Sequence, residues 1–174
     1  MDKKRPNLLI VAVDTPNTAI RDVARQQVRQ ILGKLLGEEE LLSSPGQAIS
    51  VARPGSKTGI SVSHEAGLSL VAVNFAGPVG IDLVRPLDSP DWREQIPALA
   101  QDYLGQRVAQ HLASFPAAEQ MRYFAEAWTQ HEARLKCLGL GLEEWHPALA
   151  ERLSACRVEQ LTLPGGYIGA VAYR

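Results

Sequence analysis

Trp128-Thr-Gln-His-Glu132-Ala-Arg-Leu-Lys136, followed at once by Cys137-Leu-Gly-Leu-Gly-Leu142, is the stretch around which the rest of the chain can be ordered. It reads as the last turns of a helix, because Trp128, Glu132 and Lys136 recur at i, i+4 and i+8. That spacing stacks their side chains on one face, with neighbours about 5–6 Å apart. Gly139 and Gly141 then stop the helix by C-cap chemistry. A ring, a carboxylate and an ammonium on one stripe can hold a cation and an anion together. Taken singly, Glu132–Lys136 is an ordinary surface pair and Trp128 an ordinary core residue. A second acid, Asp82, lies in the apolar strand Val79-Gly-Ile-Asp-Leu-Val84. Brought together, Asp82 and Glu132 suit Mg²⁺, which takes one or two protein carboxylates and fills its other positions with water and substrate phosphate. Lys136, one turn past Glu132, is placed to hold a phosphate oxygen on the same ion.

Outward from this helix, the chain predicts segregated helices and antiparallel strands. Leu8–Val13 reads as a strand, Ala19–Leu36 as an amphipathic helix ended by Gly37, and Ala48–Arg53 as a strand. Ile60–His64 and Leu68–Phe75 flank a Glu65-Ala-Gly67 turn, so they form a hairpin. Val79–Val84 is the next strand. Asp91–Leu104 and Gln106–Leu112 read as short helices, and a long one runs from Pro116 to near Leu138. Leu142–Leu153 reads as loop and short helix. Two last strands, Cys156–Leu163 and Tyr167–Tyr173, surround Pro164-Gly-Gly. This order is α+β rather than alternating βαβ. Residues 1–76 and 77–174 repeat a similar element order, which predicts two pseudo-symmetric halves, each a small antiparallel sheet packed with helices, and an active cleft between them.

Composition narrows the function classes. The 174 residues are 45% hydrophobic and 21% charged, with net charge −1. That excludes a disordered chain and a broadly basic nucleic-acid binder. Apolar runs such as Leu68–Phe75 are too short to span a bilayer, and Leu8–Val13 is too short for a signal h-region. Cys137 and Cys156 fit no metal spacing and read as unclustered, reduced thiols of a cytoplasmic protein. Glycines form neither a GxGxxG nor a P-loop pattern.

Other candidates are weaker one by one. Ser63-His64 sits at a strand end, where His64 can meet a phosphate or simply be structural. The two are not a hydrolase pair, since adjacent strand residues point to opposite faces. Arg53 and Lys57 flank a Pro-Gly-Ser turn that is either solvated or a phosphate contact. Arg21, Arg25 and Arg29 make one basic helix stripe, whose default reading is a solvated face.

Together, Ile60-Ser-Val-Ser-His64, Gly80-Ile-Asp82 and Trp128-x3-Glu132-x3-Lys136-x-Leu-Gly-x-Gly-Leu142 resemble 4′-phosphopantetheinyl transferases of the monomeric, surfactin-synthetase-activating type. The similarity runs from about Ala19 to Leu142, and order, spacing and element type all agree. The resemblance implies two similar α+β halves with coenzyme A and Mg²⁺ in the cleft between them. It implies transfer of the 4′-phosphopantetheine arm of coenzyme A to a serine of an apo acyl or peptidyl carrier protein, releasing adenosine 3′,5′-bisphosphate. Residue by residue, it makes Asp82 and Glu132 the metal carboxylates and Lys136 the phosphate-binding lysine. Ser63 and His64 fall at the nucleotide phosphates, with His64 and Arg25 near the 3′-phosphate. Lys57, or Arg53, stands where the family has a Gly-Lys-Pro turn. A monomer is implied, because the two halves already form the cleft.

The chain departs from the family pattern in three places. Val84 replaces a frequent second acid. His131 replaces the lysine before the helix glutamate, which predicts a cationic contact conditional on pH. Little chain precedes the Arg25 helix. Val84 and His131 also admit a relative that binds coenzyme A or a carrier without turnover.

Overall fold

The computed structural model describes residues 7–16, 21–37, 41–42, 49–51, 55–86 and 89–174. The elements run β1 (Leu8–Asp14), α1 (Arg21–Leu36), β2 (Leu41–Leu42), β3 (Ser50–Val51), β4 (Gly59–Glu65), β5 (Leu68–Asn74) and β6 (Val79–Val84). Then follow α2 (Pro90–Leu99), a π-helical turn (Ala100–Leu104), α3 (Gln106–Ala113), α4 (Ala117–Cys137), α5 (Pro147–Ser154), β7 (Arg157–Thr162) and β8 (Ile168–Tyr173). Two antiparallel three-stranded sheets form, ordered β1-β5-β4 and β6-β8-β7. Each packs with a helix, so the class is the predicted α+β.

Alternation along β5 explains the layering. Val71 and Val73 face one way, into a core with Val28 and Leu32 of α1. Leu68, Leu70 and Ala72 face the other way, into a core with Val79, Ile81 and Leu83 of β6 and Val171 of β8. Burial on both faces is why Leu68–Asn74 reads as a nearly unbroken apolar run. On the far side of the second sheet, Ala170 and Ala172 of β8 meet Ala133 and Cys137 of α4. The layers are therefore α1, first sheet, second sheet, α4.

The two sheets are stitched along β4 and β6 by side chains. Ser61 Oγ accepts the Ile81 N–H at 3.0 Å, and Ser63 Oγ accepts the Leu83 N–H at 3.3 Å. These N–H groups lie on the edge of the second sheet, and the serines satisfy them where no strand pairs. Gly59 continues the row, since a Cβ there would come within 2.5 Å of Gly77 O. Tyr167, just before β8, adds a further tie by donating its hydroxyl to Ala66 O in the β4–β5 turn. Ser61→Ala should lower unfolding stability by about 1–3 kcal/mol, the cost of an unpartnered N–H. Urea melts measure it, and an unchanged midpoint would deny Ser61 this role.

Three expectations are corrected. The strand expected over Ala48–Arg53 is only Ser50–Val51 among the described residues, paired with an unforeseen Leu41–Leu42. Residues 48, 52 and 53 lie outside them. The helix expected over Asp91–Leu104 is an α-helix to Leu99 and then a π-turn, with Pro97 inside the α-helix and Gly105 closing the segment at φ 86°. Proline contributes no N–H to the ladder, which loosens the helix locally. Cys137 and Cys156, expected to be unclustered, are free thiols packed in one core cluster. Burial first, and then the neighbouring Cys156, push the Cys137 thiol up to about 12.

Candidate active site

α4 ends where the glycines place its stop. Leu138 N–H still bonds back to Arg134 O, and Gly139 turns out at φ 65°. The last turns of α4 lie across β6 at Gly80, where an added Cβ would sit 2.0 Å from Ala133 O and 2.4 Å from Cys137 N. Only glycine permits that approach. It sets Asp82, two residues along on the same face of β6, against Lys136.

Lys136 Nζ donates to Asp82 Oδ1 at 2.7 Å and to Ile81 O at 3.2 Å. Ser63 Oγ donates to the same Asp82 Oδ1 at 2.9 Å. A buried carboxylate is thus held by one cation and one hydroxyl. Glu132 lies half-buried beside it. Its carboxyl is held above the usual range, first by burial and then by the Asp82 charge, with Lys136 opposing. Two carboxyl groups facing one pocket, with the charge of Asp82 acting on Glu132, make a place where a cation is favoured.

These groups line one open pocket of about 370 Å³, together with Val62, His64, Val84 and Trp128. Residues 62–64 come from the first sheet, and the others from the second sheet and α4. His64 Nδ1 is 2.8 Å from Ser69 Oγ, which donates in turn to Thr15 Oγ1 at 3.4 Å. Trp128 joins the pocket to an apolar cavity and packs edge-on against Tyr103.

The structure does not bring every candidate to this pocket. Arg25 is exposed on α1, paired with Asp22 at 3.5 Å, and does not line it. Lys57 is exposed in the loop before β4 and does not line it either. Arg53 lies outside the described residues. The pH-conditional cation expected at His131 is overturned. His131 is buried on another side of α4, lines a different cavity, and burial followed by Arg134 lowers its pKa to about 4. At neutral pH it is uncharged.

That shift has a stability consequence. As pH falls, the unfolded chain takes up this proton near the ordinary value of 6.5, well before the folded one does at about 4. Stability is therefore whole above 6.5 and is lost progressively down to 4, by about 3 kcal/mol in all. His131→Leu should flatten that acid limb in urea melts taken between pH 7 and pH 4. An unchanged limb would place the acid lability elsewhere.

Ser61 and Ser69 were missed as supporting residues. Each is a hydroxyl between two apolar strand residues, a signal present in Ile60–Val62 and Leu68–Leu70. Among the described residues no three His, Cys, Asp or Glu cluster as a metal cage. Asp82 and Glu132 remain a pair of hard oxygen donors at one pocket, which fits an ion that uses only one or two protein carboxylates. No helix of the described residues is long and apolar enough to cross a membrane.

The family described as "4'-phosphopantetheinyl transferase superfamily" matches residues 78–165, which hold Asp82, Glu132 and Lys136. The chain is 27% identical over 154 residues to "4'-phosphopantetheinyl transferase psf-1" of Bacillus pumilus, covering 87% of this chain and 62% of that protein. It is 32% identical over 128 residues to "4'-phosphopantetheinyl transferase HetI" of a Nostoc species, covering 66% of this chain and 49% of that protein. It thus spans between about half and three-fifths of the length of these relatives.

Proposed function

Since the chain belongs to the 4′-phosphopantetheinyl transferase superfamily, we propose that it transfers the 4′-phosphopantetheine arm of coenzyme A to a serine of an apo acyl or peptidyl carrier protein. The observation that carries this reading is the convergence of Asp82, Glu132, Lys136, Ser63 and His64 on one pocket between the two sheets. The carrier's serine oxygen bonds to the phosphorus nearer the pantetheine. The bond from that phosphorus to the oxygen bridging the two phosphates breaks, and adenosine 3′,5′-bisphosphate leaves. The nucleophile belongs to the partner, so this chain supplies charge, position and a base.

Glu132 takes the serine proton. Its carboxylate lines the pocket into which the serine would be brought, the position a general base must occupy. Lys136 binds the pyrophosphate with the ammonium that now rests on Asp82, and Ser63 keeps the Asp82 carboxylate in place during that exchange. His64 meets the nucleotide's phosphates from the rim, its ring oriented by Ser69. Arg25, Arg53 and Lys57 are assigned to those phosphates on resemblance alone. Mg²⁺, held by Asp82 and Glu132, would neutralise charge developing on the pyrophosphate oxygens. We further propose that the chain acts in the cytoplasm as a monomer, with 1–76 and 77–174 as its two halves. One chain already supplies both walls of the pocket.

Incubation with apo carrier, coenzyme A and Mg²⁺, followed by mass spectrometry of the carrier, tests this. The expected result is a gain of one phosphopantetheine, abolished by a chelator. Binding of coenzyme A without mass gain, across fatty-acid, polyketide and peptide carriers, would make the chain a non-catalytic relative.

A further inference from the structure

On α4, Trp128, Glu132 and Lys136 occupy one face. At about 100° of rotation per residue, Tyr123, Ala127, Gln130 and Arg134 fall on the opposite face. There they wall a second cavity of about 390 Å³, closed by Trp145 and by Leu153 of α5. It shares no residue with the pocket of Asp82 and Glu132.

Two polar atoms of this open cavity are buried without a partner. The His131 imidazole is 6% exposed, lines the cavity, and has no hydrogen-bond partner at Nε2. Arg134 lines it too, half-buried, with Nε unpartnered, and no acidic side chain among the described residues pairs with it. A buried N–H without an acceptor is costly, and buried polar groups are ordinarily satisfied. The walls are apolar and aromatic: Leu104, Val108, Ala127 and Leu153, with Tyr123 and the 40%-exposed Trp145 indole. Trp145 is fixed over Gly105, where a Cβ would come within 2.8 Å of the indole.

We propose that this cavity is a second ligand site, taking a small aryl carboxylate whose anionic head pairs with Arg134 and His131 and whose ring lies between Tyr123 and Trp145. An apolar chamber with a few convergent polar groups is the usual form of a small-molecule site. The carboxylate supplies the acceptor that Arg134 Nε lacks and gives the unpartnered His131 Nε2 a hydrogen-bond partner. The site does not depend on the proposed transferase activity, because its groups lie on the other face of α4.

The test uses 3-phenylpropionate as probe and 3-phenylpropan-1-ol as its uncharged counterpart, each titrated calorimetrically into the full chain at neutral pH. Ligand efficiency for a probe of this size puts the expected dissociation constant at about 1 mM. The alcohol should bind at least about tenfold more weakly, and Arg134→Gln should lose at least about tenfold for the carboxylate alone. The indole N–H resonance of Trp145, identified with Trp145→Phe, should shift on titration, and coenzyme A should not displace the probe. Absence of saturable carboxylate binding overturns the proposal, as does equal binding of the alcohol or displacement by coenzyme A. The carboxylate–alcohol comparison is made on the unmodified chain, so it decides between these outcomes even where Arg134→Gln does not fold. Loss of transferase activity in the carrier assay, with probe binding intact, would strike the proposed function and leave this site standing.

Discussion

Asp82→Asn and Glu132→Gln should each lower the rate of carrier modification by about 100-fold or more, while the protein stays folded. The size is that of removing one preorganised electrostatic group from a transfer site. Asparagine at 82 keeps the shape of the side chain and can still accept a hydrogen bond from Ser63 and Lys136, so the geometry should survive. What it removes is the charge that balances Lys136 and contributes half of the carboxylate pair. Glutamine at 132 removes the proton acceptor and, with it, a carboxyl that burial and Asp82 hold above its usual range. Glu132→Gln should therefore cost no stability, since it relieves a repulsion. The measurement is initial rate by carrier mass spectrometry, paired with a thermal melt. Turnover like that of the unmodified chain in either variant would take that residue out of the chemistry.

Among the described glycines, Gly80 should be the one least able to accept a methyl, so Gly80→Ala should be strongly destabilising. Its Cβ would press on Ala133 O at 2.0 Å and Cys137 N at 2.4 Å, both main-chain atoms of α4. A flexible side chain could swing aside, but a helix backbone must move bodily. Overpacking of this kind costs about 3 kcal/mol or more, which for a chain of this length lowers the melting temperature by about 10 °C. Activity should fall with it, because pushing β6 off α4 draws Asp82 away from Lys136 and Glu132. Gly141→Ala is the control. Nothing lies within 4 Å of its added Cβ and its φ is not positive, so its melt should be unchanged. Equal stability of the two variants would show that the β6–α4 contact does not govern the fold.

Local chemistry was legible in the sequence wherever it depends on neighbours along the chain. The 3.6-residue period and glycine stop located α4 to within a residue of its ends. The Glu65-Ala-Gly67 turn marked the β4–β5 hairpin, and Pro164-Gly-Gly marked the β7–β8 turn. The stretch Ala48–Arg53 misled, because an apolar run does not say how much of it will find a partner strand. Asp91–Leu104 misled because a periodic pattern does not reveal where Pro97 disturbs the ladder. His131 misled for a further reason. One residue of displacement on a helix turns a side chain by about 100°, enough to carry it from the rim of a site into a core.

Helix period, turn residues and the separate runs of strand and helix, all short-range properties, were enough to establish the α+β class, the ends of α4 and the shared face of Trp128, Glu132 and Lys136. The pairing of Asp82 with Lys136, the serine stitching of β4 to β6 and the burial of His131 were settled only in three dimensions. Each depends on the closeness of two segments far apart in the chain, at distances of about 3 Å, and no local periodicity encodes such a contact.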